Sequence, residues 1–458
     1  MGASLSVRSV LPGLLLTMLL GALDQTMMTP ALPAVAKDLG GLEQMPVVVT
    51  SYLAAATVVM PVYGKLGDRF GRRRVLLVAI TLFVVGAALS ASAGSIPQLI
   101  AFRAVQGLGG GGLMVGPQAV IGEMVSPRER GRYLGLIGTA YVLAAVGGPV
   151  LGGWVAATLG WRWIFALYLP LGALAFAVLA VTLRLPRPSE RPPIDYLGAV
   201  SLGVTVVGVI LLCQTQHLAW LAMILVFGAV WLVSTRFAAD PILPLRLFRD
   251  RAFAIPVAIS FLIGFALFGV LTYLPAYLQV ALGVPTSRAG LVVTALMAGV
   301  LTTTVLSGRL ITRTGRYKAY PMVGTALAAA GLTLMALVGV HAGAGTVAAV
   351  MILIGLGVGL VMQVMVLAAQ NAVDYPDLGT ATSSVIFLRQ VGASTGVAVA
   401  GAVITARLSE QVPAQVALSQ AVPLIFALMT PLLAVAFGLA AALPARPLRT
   451  TAHIKENA

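Results

Sequence analysis

The stretch GKLGDRFGRRR (Gly64–Arg74) separates two long apolar runs, and a diverged copy, GRLITRTGRYK (Gly308–Lys318), stands in the second half of the chain. A second pair of similar stretches follows in the same order, GLGGGGLMVGPQAVI from Gly107 and GLGVGLVMQVMVLAA from Gly355. Two repeats in the same order predict two homologous bundles, the parallel-repeat arrangement of one large class of transporters. The positions shared by the first pair are Gly64, Leu66, Arg69, Gly71 and Arg72, which match Gly308, Leu310, Arg313, Gly315 and Arg316.

The composition places these bundles in a membrane. Hydrophobic residues make up 59% of the 458 residues and charged residues only 9%, and the mean hydropathy is +1.00. Apolar runs of about 20 residues each are long enough to cross a bilayer. They predict fourteen helices, centred near Leu23, Ala55, Phe83, Gly109, Leu143, Leu174, Val206, Val226, Phe265, Gly299, Ala330, Gly359, Ser394 and Leu432.

Six helices in each half leave a pair over, at about Tyr196 to Arg236, between the repeats. We therefore expect an all-α integral membrane protein with two six-helix bundles and two extra central helices. The predicted boundaries are residues 1–190 for the first bundle, 191–245 for linkers with the additional helices, and 246–458 for the second bundle with a short cytoplasmic tail. The stretches RLPRPSERPP and AADPILPLRLFRDR are rich in proline and arginine, as linkers are.

The basic residues predict orientation and not nucleic-acid binding, although the formal net charge is +15. Every second connection between helices is rich in lysine and arginine, whereas the opposite connections hold little beyond Lys37, Arg288 and Arg407. Cytoplasmic loops carry this excess. We expect a multi-pass protein of the cytoplasmic (inner) membrane with both termini in the cytoplasm. The basic connections include Arg69, Arg73, Arg74, Arg128, Arg130, Arg187, Arg191, Arg246, Arg313 and Arg316.

No constellation for catalysis or metal binding is visible in the sequence. The single Cys213 excludes a disulfide framework, and His217, His341 and His453 are too scattered for a histidine metal cluster. Paired carboxylates and nucleophile–base arrangements are also missing at the predicted membrane faces. We expect no metal, no cofactor and no enzymatic activity.

Ionisable residues inside two apolar runs are the strongest functional signal. Asp24 lies in the first predicted helix, and Arg103 lies in the fourth, followed one turn later by Gln106. At 1.5 Å per residue, Asp24 and Arg103 lie roughly 16 and 9 Å below the outer boundary. Charges at such depth are costly and mark proton or substrate sites or buried partners. Two interpretations are open, a buried structural ion pair and a proton-coupling or substrate site.

Several stretches carry a family resemblance that runs nearly end to end. GKLGDRFGRRR is similar to the helix 2–3 loop motif of the major facilitator superfamily, and GGPVLGG (Gly147–Gly153) resembles the fifth-helix antiporter motif. The chain thus resembles the fourteen-span drug:proton antiporter branch typified by QacA and EmrB. Thr29 and Pro30 depart from it, standing where that branch usually has Asn and Val. Further matching stretches are LDQTMMTPALP (Leu23–Pro33), RAVQGLGGG (Arg103–Gly111), WRWIFALYLPLG (Trp161–Gly172) and FLRQVGASTGVAVAG (Phe387–Gly401).

The resemblance implies a major facilitator fold and a set of gating residues. Asp68 is expected to cap helix 13, starting near Gly379, where the helix dipole favours a carboxylate. Glu123 is assigned to the same charge network, and the fifth-helix motif is expected to seal the outer side of the cavity. The alternative for the loop is a plain orientation signal. The assigned gating residues are Gly64, Asp68, Arg69, Gly71, Arg73, Arg74, Glu123, Gly148, Pro149, Gly152 and Gly153.

The resemblance also places the substrate between helices 1, 4, 9 and 12, which line the centre in this superfamily. Aromatic and methionine side chains there suit lipophilic ligands of variable shape. Ordinary helix packing is the alternative for many of them. The candidates are Gln25, Met28, Gln106, Tyr273, Tyr277, Gln279, Met362 and Gln363, with Gln390 on helix 13.

The expected function is proton-coupled export of lipophilic, cationic small molecules by an antiporter, as in multidrug efflux and drug resistance. Asp24 and Arg103 form the expected proton-coupling site: substrate binding displaces the proton from Asp24, and external protons later displace the substrate. The proton gradient supplies the energy, and the lipid bilayer, protons and substrates are the partners of an expected monomer. Alternatives are a dedicated exporter of one endogenous lipid or secondary metabolite, a sugar or peptide symporter, and a membrane enzyme.

Overall fold

The computed structural model describes residues 7–186, 193–338, 343–407, 414–448 and 450. Within these ranges the regular elements are helical, and fourteen helices are long and apolar enough to cross a membrane. The predicted number of membrane helices is thereby confirmed. Arg187, Arg191, His341 and His453 lie outside the described residues. The helices are α1 Val7–Leu39, α2 Met45–Phe70, α3 Arg72–Ala91, α4 Ile96–Met124, α5 Pro127–Thr158, α6 Arg162–Thr182, α7 Tyr196–Thr215, α8 Ala219–Phe237, α9 Arg251–Leu271, α10 Thr286–Thr314, α11 Ala319–Val338, α12 Ala344–Ala372, α13 Leu378–Thr405 and α14 Ala414–Ala442.

Both copies of the loop motif end their helices at a glycine with positive φ. Gly71 follows α2 with φ 88°, and Gly315 follows α10 with φ 70°. Only glycine adopts this left-handed region without steric cost, so it ends a helix sharply. The turns that follow differ, since ψ is 134° at Gly71 and 7° at Gly315. The span of α9 is less regular, since it continues through Leu274–Ala276 and a π-helical turn, Tyr277–Ala281.

The helices pack in two sets with the same internal order. In the first set α1 contacts α5 and α6, α2 contacts α4, and α3 contacts α4 and α6. In the second set α9 contacts α13 and α14, α10 contacts α12, and α11 contacts α12 and α14. Each contact of the first set recurs eight helices later. This is the predicted pair of six-helix bundles with the major facilitator arrangement, and the fold prediction is confirmed.

The bundles meet through two symmetry-related helix pairs, α2 with α13 and α5 with α10. The extra helix α7 lies against both α2 and α13, at the edge of the contact between the bundles, and α8 packs on α7. Large apolar side chains on the surface, among them Phe237 and Leu337, are exposed. Such an apolar surface is what lipid chains cover in a membrane.

The contacts between the bundles concentrate at one end of the molecule. We name this end the arginine-rich side; α2, α4, α10 and α12 end there, and α3, α5, α11 and α13 begin there. Residues 361–370 of α12 and 378–387 of α13 are all buried, whereas the exposed fraction increases farther along α13. The bundles are therefore packed together on the arginine-rich side.

Candidate functional site: a buried ion pair and a contact between the bundles

Asp24 on α1 and Arg103 on α4 form an ion pair in the first bundle. Nη1 of Arg103 donates hydrogen bonds to both carboxylate oxygens of Asp24, each at 2.7 Å. Both side chains are 1% exposed. Burial favours the neutral carboxylic acid, while the adjacent guanidinium favours the carboxylate. The protonation of Asp24 is thus set by two large opposing effects, so small rearrangements can change it.

Gln106 belongs to the same hydrogen-bond network. Its Nε2 donates to Asp24 Oδ1 at 3.0 Å, and its Oε1 accepts from Arg103 Nη1 at 3.2 Å. Ser90 on α3 adds a hydrogen bond from its Oγ to Gln106 Oε1 at 3.3 Å. Gln106 was predicted to bind substrate, and the structure places it on the ion pair.

Aromatic rings enclose the Arg103 guanidinium. Its Cζ lies 4.3 Å from the ring centroid of Tyr52 and 5.7 Å from that of Phe165. These distances permit cation–π attraction. The glycines of α4 allow Tyr52 to approach, since a Cβ at Gly107 would lie 2.4 Å from the Tyr52 carbonyl oxygen, and one at Gly110 would lie 2.2 Å from its hydroxyl. The glycine run therefore serves close helix packing next to the ion pair.

The fifth-helix motif packs on α1 directly after Asp24. A Cβ at Gly148 would lie 2.0 Å from Thr26 Oγ1, and one at Gly152 would lie 2.3 Å from the Met27 carbonyl oxygen. Thr26 Oγ1 also donates to the Ala144 carbonyl at 3.0 Å. Any displacement of α5 along α1 must therefore act on the segment that carries Asp24. The remaining motif residues differ, because Pro149 is exposed and Gly153 is half-buried.

Asp68 joins the two bundles at the arginine-rich side. Its Oδ1 accepts from Gly379 N at 2.9 Å, and its Oδ2 accepts from Thr380 N at 3.0 Å and from Thr380 Oγ1 at 3.2 Å. These amides open α13, so the carboxylate lies at the positive end of the helix dipole. The contact expected between Asp68 and helix 13 is present. Gly64 makes room for it, since a Cβ there would lie 2.1 Å from Ser383 Oγ.

A charged network supports this contact. Arg72 donates from Nη2 to Asp68 at 2.7 Å and from Nε to Glu123 at 2.6 Å, and all three side chains are buried. Glu123 therefore lies in the network to which it was assigned. The other arginines of the loop lie farther out, because Arg73 donates to the Ala180 carbonyl at 2.6 Å and Arg74 is exposed. Arg69 is partly buried and beside the Phe70 ring.

Arg128 makes the corresponding contact at the second helix pair of the arginine-rich side, where the sequence predicted only a basic connection. Arg128 begins α5 and donates to the carbonyls of Thr312 at 3.3 Å and Arg313 at 3.1 Å, in the last turn of α10. A cation is favourable at the negative end of a helix. In the repeat Thr312 stands where the first bundle has Asp68. The loss of the acid is visible in the sequence, and it leaves this helix end available to a cation.

The other substrate candidates are spread over both bundles. Tyr273 donates from its hydroxyl to the Val397 carbonyl at 3.3 Å, and Gln363 lies beside Gly138 of the opposite bundle. A cavity of about 710 Å³ lies between α7 and α8, away from these candidates. Their assignment to the substrate stays a prediction. Met28, Tyr277, Met362 and Gln363 are buried, Gln25, Tyr273 and Gln390 are half-buried, and Gln279 is exposed.

One further ionisable residue of a membrane helix was missed. Arg389 on α13 is buried, next to the predicted Gln390. The signal was the one that identified Asp24 and Arg103, a charge within an apolar run. Among the described residues, no group of three or more His, Cys, Asp or Glu side chains is placed to hold a metal ion.

Two repeated bundles of membrane helices that enclose buried charges define a multi-pass membrane protein. The chain belongs to the Major Facilitator Superfamily, because the model of that family matches residues 14–397. The membership agrees with the resemblance carried by the loop and fifth-helix motifs.

Curated relatives support the drug-efflux branch. The chain is 38% identical over 407 residues to an uncharacterised MFS-type transporter of Mycobacterium tuberculosis, covering 86% of this chain and 59% of that protein. It is 33% identical over 408 residues to the multidrug transporter protein MdtP of Bacillus subtilis, covering 87% of this chain and 75% of the relative. The chain thus spans about three fifths of the mycobacterial relative's length.

A solved structure shows the same fold at low sequence identity. The chain superposes on the proton:xylose symporter XylE with a TM-score of 0.70 at 16% sequence identity, covering 98% of each chain. The family and the named relatives are transporters and not enzymes, so the membrane-enzyme alternative is set aside.

Proposed function

We propose that this protein is a proton-coupled antiporter that exports lipophilic, cationic small molecules by alternating access. The observation that carries the proposal is the buried ion pair of Asp24 and Arg103. Nη1 of Arg103 and Nε2 of Gln106 both donate to the Asp24 carboxylate. Family membership and the multidrug relative support export. The proton gradient then supplies the energy, without a cofactor, and the transporter acts as a monomer.

Coupling follows from the balance at Asp24. When Asp24 is ionised, its negative charge balances the positive charge of Arg103, and the hydrogen bonds with Gln106 are all formed. Protonation removes the attraction to Arg103, and an unpaired buried cation is costly. The network must then rearrange, which α1 transmits to α5 through the contacts of Thr26 and Met27. Proton binding and bundle movement are thereby linked.

Alternating access needs contacts between the bundles that form in one state and break in the other. Asp68 at the start of α13 and Arg128 at the end of α10 are such contacts, because each joins a charged side chain to a helix end. We infer that residues 1–190 and 246–458 move against each other, with residues 191–245 between them. The arginine-rich side is then cytoplasmic, in the cytoplasmic membrane, and this structure has it closed.

The proposal is tested with purified protein in liposomes that contain a trapped pH-sensitive dye. Addition of a lipophilic cation such as tetraphenylphosphonium should release protons in wild-type protein, and an imposed pH gradient should drive the cation across the membrane. Proton release without cation movement, or cation movement that an imposed pH gradient does not change, would contradict the proposed antiport.

A further inference from the structure

Arg389 is a buried cation without an acidic partner in the described part of the chain. Its side chain lies in α13 and is 8% exposed, and its Nη1 has no hydrogen-bond partner. The acids Asp24, Asp68 and Glu123 each have another arginine as their partner. A buried charge without a partner is unfavourable. A ligand that supplies the missing negative charge would offset this cost.

Arg389 lies where the two bundles separate. Earlier in α13, Ser383 contacts Gly64 of the first bundle, whereas Gly392 and Gly396 contact Phe261 and Phe265 of α9 within its own bundle. The partner of α13 thus changes close to Arg389. Farther from the arginine-rich side, the glycines of α13 contact α9 and not the first bundle.

The facing helix changes partner at the same depth. Gly135 and Gly138 of α5 contact Thr304 of the second bundle, whereas Gly148 contacts α1 in the first bundle. Tyr141 stands between these positions, and it interacts electrostatically with Arg389 across the two bundles. Tyr141 and Arg389 therefore lie at the level where α5 and α13 exchange contacts between the bundles for contacts within them, and we call the space beyond this level the cleft.

Burial changes at this level in both helices. Residues 378–387 of α13 are all buried, while Gln390 and Ser394 are partly exposed. On α5, Val142 is buried and Pro149 and Val150 are exposed. Arg389 therefore lies directly after the fully buried stretch of α13.

Tyr141 and Gln363 add hydrogen-bonding groups at this level of the two bundles. Gln363 lies one turn from Tyr141, since a Cβ at Gly138 would lie 3.1 Å from Gln363 Nε2. Its Oε1 has no hydrogen-bond partner. A guanidinium binds planar anions through paired hydrogen bonds, and the Tyr141 hydroxyl can donate another. These donors match a carboxylate, whereas the Oε1 of Gln363 can accept from an N–H or O–H group of the same ligand.

We propose that Arg389, with Tyr141 and Gln363, binds the carboxylate of a lipophilic substrate at the floor of the cleft. This rests on the proposed export function and extends its substrates from lipophilic cations to lipophilic carboxylic acids and zwitterions. Asp24 does not oppose such a ligand, because its charge is neutralised by Arg103. The net charge contributed by Asp24, Arg103 and Arg389 together is positive.

The test compares two fluorescent probes that share their ring system, dansyl-phenylalanine and dansyl-phenylalaninamide. Only the former carries a carboxylate, so the ratio of their dissociation constants measures its recognition. Binding is measured on purified full-length protein in detergent, without a proton gradient. Wild-type protein should prefer the carboxylate by about tenfold or more, the effect of one charge-assisted hydrogen bond.

Variants assign the preference to Arg389. Arg389→Gln should reduce the ratio to about one, Arg389→Lys should retain part of it, and Tyr141→Phe should weaken it. The exposed Arg309 provides the matched control, since Arg309→Gln removes the same charge and should leave the ratio unchanged. If Arg389→Gln does not fold, the carboxylate site is tested by the ratio of dissociation constants in wild-type protein and by its decrease in Tyr141→Phe.

Equal affinity of wild-type protein for the two probes, absence of binding by both, or a preference that survives in Arg389→Gln would overturn the proposed carboxylate site. Failure of the export proposal is seen separately, in liposomes. A protein that prefers the carboxylate but moves no probe under a pH gradient would retain the binding site and lose the proposed transport.

Discussion

One nitrogen of Arg103, Nη1, donates to both carboxylate oxygens of Asp24 at 2.7 Å, while Nε of Arg103 has no hydrogen-bond partner. The pair is therefore not the two-nitrogen fork that usually joins arginine to a carboxylate. A single cationic nitrogen between the oxygens is a geometry that an ammonium group can also adopt. Arginine is then retained here for its reach and for its planar contact with Tyr52.

Arg103→Lys should accordingly preserve part of the function, although this exchange is damaging where both guanidinium nitrogens bind. We expect reduced but measurable proton release on substrate addition. Arg103→Gln leaves the buried Asp24 without a cation, which costs about 3–5 kcal/mol of stability or forces protonation of the acid. Thermal unfolding together with dye-reported proton release checks both variants. Equal loss in the lysine and glutamine variants would mean that the planar group itself is required.

Asp24→Asn should abolish substrate-induced proton release, because the amide cannot carry the exchanged proton. It also leaves Arg103 buried and unpaired, so reduced stability has to be separated from loss of coupling. The double variant Asp24→Asn/Arg103→Gln removes both charges and should regain stability while remaining uncoupled. Recovery of proton release in the double variant would mean that Asp24 serves structure and another group, with Glu123 first, carries the proton.

Gly152→Ala tests the link between the fifth-helix motif and the proton site. The added Cβ would lie 2.3 Å from the Met27 carbonyl oxygen on α1, so the helices must separate at a cost of about 1–3 kcal/mol. We expect a lower unfolding temperature and proton leak through liposomes. Gly147→Ala is the matched control, since its Cβ would have no atom within 4 Å. Similar effects of the two substitutions would argue against a specific contact.

The helices and their repeat could be predicted from the sequence because apolar length and repeated motifs are local properties. The centres predicted for α1, α5 and α12 fall within a residue or so of the observed ones. The Asp24–Arg103 pair was also predictable, since two isolated opposite charges at similar depth attract each other.

Other features depend on which helix faces which, and the sequence does not encode that locally. Arg128 reaches the end of α10 only because α5 and α10 lie together. Arg389 could have been noticed as a charge in an apolar run, but its missing partner is visible only after the packing is known. The position of Gln106 on the ion pair likewise follows from the helical turn that separates it from Arg103.

Substrate charge provides a further prediction. In the second bundle, Asp377 lies at the arginine-rich end of α13 and is 2.8 Å from Arg246, so it is already paired. Asp374 is exposed at the same end. A divalent cation would need a second carboxylate near the centre. We expect monovalent or neutral lipophiles to be exported several-fold better than divalent cations, in resistance assays with tetraphenylphosphonium and dequalinium. Equal or better resistance to dequalinium would contradict this.

The last prediction separates the contact between the bundles from the proton site. Asp68→Asn keeps an acceptor for the Gly379 amide but removes the charge at the start of α13. The interaction of a charge with a helix end is worth about 0.3–2 kcal/mol, enough to shift a balanced equilibrium several-fold toward opening of the arginine-rich side. Substrate affinity should change little, because Asp68 lies at the end of α2 and Asp24 in the middle of α1. Transport should therefore fall while equilibrium binding persists.

Labelling of a cysteine at position 383 measures this opening directly. Ser383 is fully buried between the bundles, so a cysteine there should react with a soluble maleimide only when the arginine-rich side opens. The chain has one native cysteine, Cys213, and Cys213→Ser provides the background. Asp68→Asn should raise the labelling rate several-fold, whereas Asp374→Asn, an exposed acid on the same side, should not. An unchanged rate in Asp68→Asn, or loss of substrate binding in step with transport, would mean that Asp68 serves insertion or folding and not the gate.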